Sequence, residues 1–421
     1  MQRPAVQNIL VGCLLLFSLS IPISKSAVTV TLTLLYLFAL YRVVRDQEHR
    51  KILSAHLNQP LVLPLALFVA VSALGVFFSE KLSDGLGVLN KISSLFLVYL
   101  MTAVVIDSME DEGRSRGTAE KLLLAFLGGL IVLDLIGLMT YLGVVGHKRF
   151  LLPVAPMHVH HIWFANINAV GLYAAVSFLL FGKVRDDRVA KTLVGVFLPF
   201  SVFSLLFSTS RTAWLGVLAT SIVMAYLFSR KKRVFYIMLA VVVFGCLFAY
   251  RFSPIVHERV TTAVSDITQY TAGDRETSLG WRFLMWKASL DMFLSNPVFG
   301  IGTGDYVITM ERYIGAGTYP ASLLQFNQPH NMYLFSLATN GLLGLAALLY
   351  LFIRIFSRAL PVGEAPTKRQ QMSFLAAAVA VHYLVAGLAD SLFNIFLLRY
   401  TFAFIMGICM RESIKSAMTS R

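Results

Sequence analysis

Charge is what this 421-residue chain has least of. Lys, Arg, Asp and Glu make up 14% of it against 57% hydrophobic residues, and its mean hydropathy is +0.72. So few ionic groups cannot cover the water-facing surface of a soluble fold. Short alternating runs are missing too: most apolar runs reach about 16 residues or more, near the ~20 an α-helix needs to cross a bilayer, whereas barrel strands would be ~10 with alternating polarity. Cysteine is scarce. Cys13, Cys246 and Cys409 sit inside apolar runs without CxxC spacing, so they read as packing residues and say nothing of redox compartment. There is no fixed-period repeat and no low-complexity tract.

What is present is an all-α pattern for a polytopic membrane protein. Apolar runs near 8–23, 27–41, 61–78, 92–106, 122–145, 162–181, 192–208, 212–228, 234–250, 331–353, 372–389 and 395–410 predict about 12 transmembrane helices. The net charge of +14 is distributed by side: alternate connectors hold 23 Lys and Arg on one face and 13 on the other. By the positive-inside rule both termini are cytoplasmic. That distribution suits topological anchoring and anionic lipid, not nucleic acid. The first run ends in SLSIPISKSA, which has the look of a signal-peptide cleavage region, but the spans that follow need it for their orientation and it is expected to be retained. The basic connectors (Arg42 to Lys51, Asp107 to Lys121, Lys183 to Lys191, Arg230 to Arg233) are assigned no chemistry. The chain divides into residues 1–250 with nine spans, a long outer segment 251–329, and residues 330–421 with three spans.

The outer face carries the chemistry. Arg211 lies among Ser208, Thr209, Ser210 and Thr212 at a helix start. Hydroxyl caps, free N–H groups and a guanidinium there can hold phosphate, or the arginine can snorkel to lipid headgroups. The long segment has six Lys or Arg and seven Asp or Glu, so it is nearly neutral. It has one clear helix pattern, Leu279 to Leu294, stopping at Asn296-Pro297. That amphipathic helix is expected to lie in the headgroup layer through Trp281, Phe283, Trp286 and Phe293, with Lys287 and Asp291 pairing and Arg282 left free at phosphate depth. Gly300, Gly302 and Gly304 lack the preceding strand and the Gly-Lys-Ser/Thr of a nucleotide loop and read as a flexible turn. His158, His160 and His161 crowd one span edge, at spacings ill suited to converge on a metal. Asp134, His382 and Arg399 fall within or near spans, through buried pairing or as part of a proton or ion path.

The remaining motif is Gln328 to Gly344, QPHNMYLFSLATNGLLG. His330 and Asn331 open a long apolar helix, and nine residues later comes Gly341-Leu342-Leu343-Gly344. A histidine there sits at a helix N-terminus on the water side of the boundary, where the dipole favours neutral imidazole and a nearby diphosphate would oppose it. This spacing, the twelve spans, the long loop between the ninth and tenth, and Arg211 to Leu215 as Arg-x-x-x-Leu resemble the bacterial O-antigen ligases of the O-antigen ligase and polymerase superfamily. The resemblance implies a GT-C-like membrane fold in the bacterial inner membrane and a metal-independent, inverting glycosyltransferase without cofactor. Its donor would be an undecaprenyl-diphosphate-linked glycan and its acceptor a sugar hydroxyl of lipid A-core. It makes His330 the base, gives Arg211 and Arg282 the diphosphate, and assigns Asn331 and Asp390 supporting roles, all on the periplasmic side. A polymerase or protein O-oligosaccharyltransferase of the same superfamily is the neighbouring reading, and a transporter built on Asp134 and His382 the one from another class.

Overall fold

The computed structural model describes residues 3–45, 47–110, 117–146, 153–156, 159–182, 187–229, 232–360 and 367–418. His158 and the connector residues Arg114, Arg116, Lys183, Arg185, Arg230 and Lys231 lie outside these residues. The described residues form sixteen α-helices and no strand. In order they are α1 (Arg3–Ile23), α2 (Lys25–Arg45), a short α3 (Gln47–Leu57) in the first basic connector, α4 (Val62–Phe77), α5 (Leu82–Glu110) and α6 (Thr118–Tyr141). Then come α7 (His161–Phe181), α8 (Arg188–Phe207), α9 (Arg211–Phe228) and α10 (Lys232–Phe252). The outer segment folds as α11 (Pro254–Thr271), α12 (Ser278–Ser295) and α13 (Tyr306–Gly315), followed by α14 (Met332–Ala359), α15 (Thr367–Ala386) and α16 (Phe396–Met418).

Each apolar run of the sequence lies in its own helix. Eight helices, α2, α5 to α10 and α14, are long and apolar enough to cross a membrane, with α1, α4 and α16 carrying shorter apolar stretches. The chain is therefore a multi-pass helical membrane protein. Helices are the form in which apolar chain can satisfy its own N–H and C=O groups in lipid. α10 buries none of its side chains, exposing Val241, Phe244 and Phe248, as a helix solvated by acyl chains does. The centre belongs to α15, where Ala376, Ala377, Ala378 and Ala380 are fully buried. Such small residues let α15 approach α7, α9 and α16 closely.

The ionisable residues inside this bundle are held by hydrogen bonds. Asp134 Oδ1 accepts from Asn168 Nδ2 (2.9 Å) and Ser204 Oγ (2.7 Å), tying α6 to α7 and α8. His382 uses both ring nitrogens, one toward Tyr173 Oη and one toward Asn166 Oδ1, each at 2.9 Å. Arg399 donates to Ser94 Oγ (2.9 Å) and the Phe393 carbonyl (2.8 Å). These contacts favour buried pairing over an ion path, because a side chain in such a network is a brace between helices.

The outer segment departs most from its sequence reading. It has three helices instead of one and a core of its own, made by Leu284, Met285, Ala288, Met292, Tyr306, Met310 and Leu323 and closed against Ala338 of α14. α12 is thus packed on protein rather than laid free in the headgroup layer. Among the described residues Lys287 and Asp291 do not pair: Asp291 Oδ2 accepts from Tyr319 Oη, a partner about thirty residues away that helical spacing could not suggest.

The glycines at 300, 302 and 304 are also not a loose turn. They take positive φ values of 72°, 113° and 98°, and their strand of chain docks onto a break in α14. There Ile301 N donates to the Ala338 carbonyl (2.9 Å), Gly302 N to that of Thr339 (3.2 Å), and Leu342 N to that of Pro297 (2.9 Å). Gly341 makes the break possible, with φ 62° and ψ −157° inside α14. A Cβ on it would come within 2.3 Å of the Val298 carbonyl oxygen. Gly341→Ala should therefore cost more than about 3 kcal/mol, lowering the unfolding midpoint in detergent. Gly315→Ala, with open space around it, should stay within about 0.5 kcal/mol.

Candidate active site

Four helix starts and one turn converge at the same end of the bundle. The starts of α7, α9, α12 and α14 contribute to a cavity of about 390 Å³ into which Arg211, Arg282 and His330 all face. The three residues singled out in the sequence, 119 positions apart at the extremes, are thus brought to one wall-to-wall space.

His330 is placed by its own strained backbone, with φ 49°, and by what grips its neighbours. Asn331 caps α14, its Oδ1 accepting from Tyr333 N and Leu334 N at 3.0 Å, while its Nδ2 donates to the Leu388 carbonyl (3.1 Å). Met332 N donates to the Gly387 carbonyl at 2.7 Å. Trp286 Nε1 of α12 donates to the Pro329 carbonyl at 3.0 Å, so this tryptophan is a tether for the histidine loop and not a lipid anchor. The same 387–390 turn supplies Asp390, 2% exposed, whose Oδ1 meets His330 Nδ1 at 3.2 Å and accepts from Ser391 N at 2.8 Å. A neutral imidazole that donates Nδ1–H to this carboxylate carries its lone pair on Nε2.

The arginines are held more loosely. Arg211 starts α9, after a turn in which Thr209 has φ 56° and Ser210 Oγ caps Ala213 N. Its guanidinium lies 3.8 Å from Asp266 Oδ2 of α11, beyond hydrogen-bond range, and its buried Nη1 has no partner among the described residues. Unpaired donors in a half-buried cavity leave room for an anionic ligand. Arg282, on the first turns of α12, makes no hydrogen bond among the described residues. Burial lowers its guanidinium from the ordinary value, Asp390 opposes that shift and Arg211 adds to it, so the two cations and the carboxylate act within one field.

Sequence reasoning missed Arg259 and Asp266 on α11. Arg259 Nη2 donates to Thr209 Oγ1 (2.9 Å) and adds a third guanidinium to the lining. Only the packing of α11 on α12 reveals it. His160 and His161 line the same cavity, their rings 4.4 Å apart. His160 Nδ1 accepts from Ile162 N (3.4 Å) as the cap of α7. Burial lowers His160 from its ordinary value. Among the described residues no three His, Cys, Asp or Glu side chains converge as metal ligands.

Fold and site together define a multi-pass helical membrane protein with a cationic cavity and an Asp-buttressed histidine at one bundle end. Residues 194–349 match the family model described as O-antigen ligase. That stretch contains Arg211, Arg259, Arg282 and His330. A Haemophilus influenzae protein described as uncharacterized is 29% identical over 199 residues, 46% of this chain and 49% of the relative. The match thus spans about half the length of that relative.

Trp286→Phe keeps the ring and removes the donor to Pro329, at an expected cost of about 1 kcal/mol. Amide hydrogen exchange should accelerate in peptides spanning 326–334 and stay unchanged in α15. Unaltered exchange in that loop would show that the tether does not hold it.

Proposed function

We propose that this protein transfers an O-antigen glycan from undecaprenyl diphosphate to a sugar hydroxyl of lipid A-core, on the periplasmic side of the bacterial inner membrane. The observation that carries this reading is the single cavity in which Arg211 and Arg282 face His330, with Asp390 on the far side of the imidazole. In the proposed reaction His330 Nε2 takes the proton of the acceptor hydroxyl as its oxygen attacks the anomeric carbon. The bond from that carbon to the diphosphate oxygen breaks in the same displacement, which inverts the centre. Negative charge then gathers on the leaving diphosphate, where the guanidinium groups of Arg211 and Arg282 offer forked donors.

Asp390 holds the imidazole in the tautomer that leaves Nε2 free and stabilises the imidazolium that forms. Asn331 serves by position, fixing the backbone from which His330 projects. A diphosphate leaves readily once its charge is met by cations, so the reading requires no metal and no cofactor. Helices packed around such a membrane-surface cavity also agree with a GT-C-like arrangement.

His330→Ala should lower kcat about a thousandfold with purified protein, lipid-linked glycan and rough lipopolysaccharide, while donor affinity changes little. Undiminished ligation by that variant removes the base assignment. Arg211→Lys and Arg282→Lys should each weaken donor binding, since an ammonium cannot reproduce the fork, and EDTA should leave the rate unchanged. The lipopolysaccharide of a deletion strain separates ligase from polymerase: bare core means ligation is lost, whereas core bearing one repeat unit means polymerisation is lost.

A further inference from the structure

A second cavity, of about 600 Å³, opens beside the first. The two share walls one residue thick. Phe326 and His330 face the first while Asn327 and Gln328 face the second, and on α7 Ile162 faces the first while Trp163 faces the second. Resting on the reading of the first cavity as the donor site, we propose that the second binds the acceptor saccharide through a phosphate or carboxylate group on it.

The lining is what such a ligand needs. Lys25, at the start of α2, and Lys91, on α5, both face the space, and neither ammonium has an ion pair or hydrogen bond among the described residues. Lys25 Nζ rests 5.5 Å from the centre of the Phe396 ring. Lys91 lies within electrostatic range of Lys25 and of Arg399, so like charge is concentrated at this wall. Like charges so placed repel, and an incoming anion relieves that repulsion. The one carboxylate in the lining, Asp84, is already bound to Lys81 at 3.0 Å. The ring of Trp163 lines the same space and offers apolar surface to sugar C–H groups. The amides of Gln328 and Asn394 meet at 3.1 Å, and each keeps a further polar atom for hydroxyls. The size is within the range of small-ligand sites.

The test uses the full chain in detergent and calorimetric titration with delipidated lipopolysaccharide core oligosaccharide in three forms: native, enzymatically dephosphorylated and carboxyl-amidated. Native saccharide should bind about tenfold more weakly to Lys25→Gln/Lys91→Gln than to the wild type, with Lys25→Arg/Lys91→Arg retaining affinity and salt weakening it. Loss of affinity on dephosphorylation or on amidation identifies the anion. Equal binding by the wild type and the Gln pair, no binding to the wild type, or full affinity for both neutralised saccharides overturns the proposal. Lysine-dependent binding without ligation leaves this site standing and removes the donor reading. Ligation with the acceptor KM unchanged in the Gln pair does the reverse.

Discussion

The candidate site depends on how the backbone enters α14. A helix buried at its N-terminus must find acceptors for its first N–H groups, and Asn331 supplies one for Tyr333 and Leu334 while Met332 N reaches across to Gly387. The Asn331 amide then donates to Leu388. Capping one helix and tying it to the turn after another are therefore a single act. That act sets His330 against Asp390 at 3.2 Å, with the positive φ of His330 held by contacts on either side. Strain of this kind persists only where the surroundings over-determine it.

Electrostatics follow from that placement. Three guanidinium groups line the cavity, yet Asp266 meets Arg211 only at 3.8 Å and Asp390 is engaged by His330 and Ser391 N. Excess positive charge in a partly buried space is costly by itself and becomes favourable when a polyanion fills it. The protein's stable frame is elsewhere, in the apolar bundle and in braces such as the one His382 makes between α7 and α15. Placing the cavity at helix starts lets the frame stay apolar while the polar groups gather at its rim.

The His330 stretch was legible as a helix start on the water side of the boundary and through the spacing of its motif. What Gly341 does was not legible: it is where residues 297–302 dock. Arg211 was legible for a similar reason, lying among hydroxyl residues at a helix start. Arg259 was not. It sits on α11, a helix that the sequence reading did not mark, and it matters only because α11 packs against α12. Trp286 and Asp291 were misread because their partners, Pro329 and Tyr319, are 43 and 28 positions away.

Hydropathy by itself determined that the chain is helical and membrane-embedded, since apolar runs in lipid must satisfy their own backbone. Hydroxyl caps at a helix start marked Arg211, and the motif's resemblance to the O-antigen ligases marked His330 and Asn331. Tertiary structure alone decided that Arg211, Arg282 and His330 share one cavity, that Asp390 backs the imidazole, and that the outer segment is a packed layer over α14. Those are matters of distance between residues remote in sequence, and periodicity along a chain holds no information about which helix ends will meet.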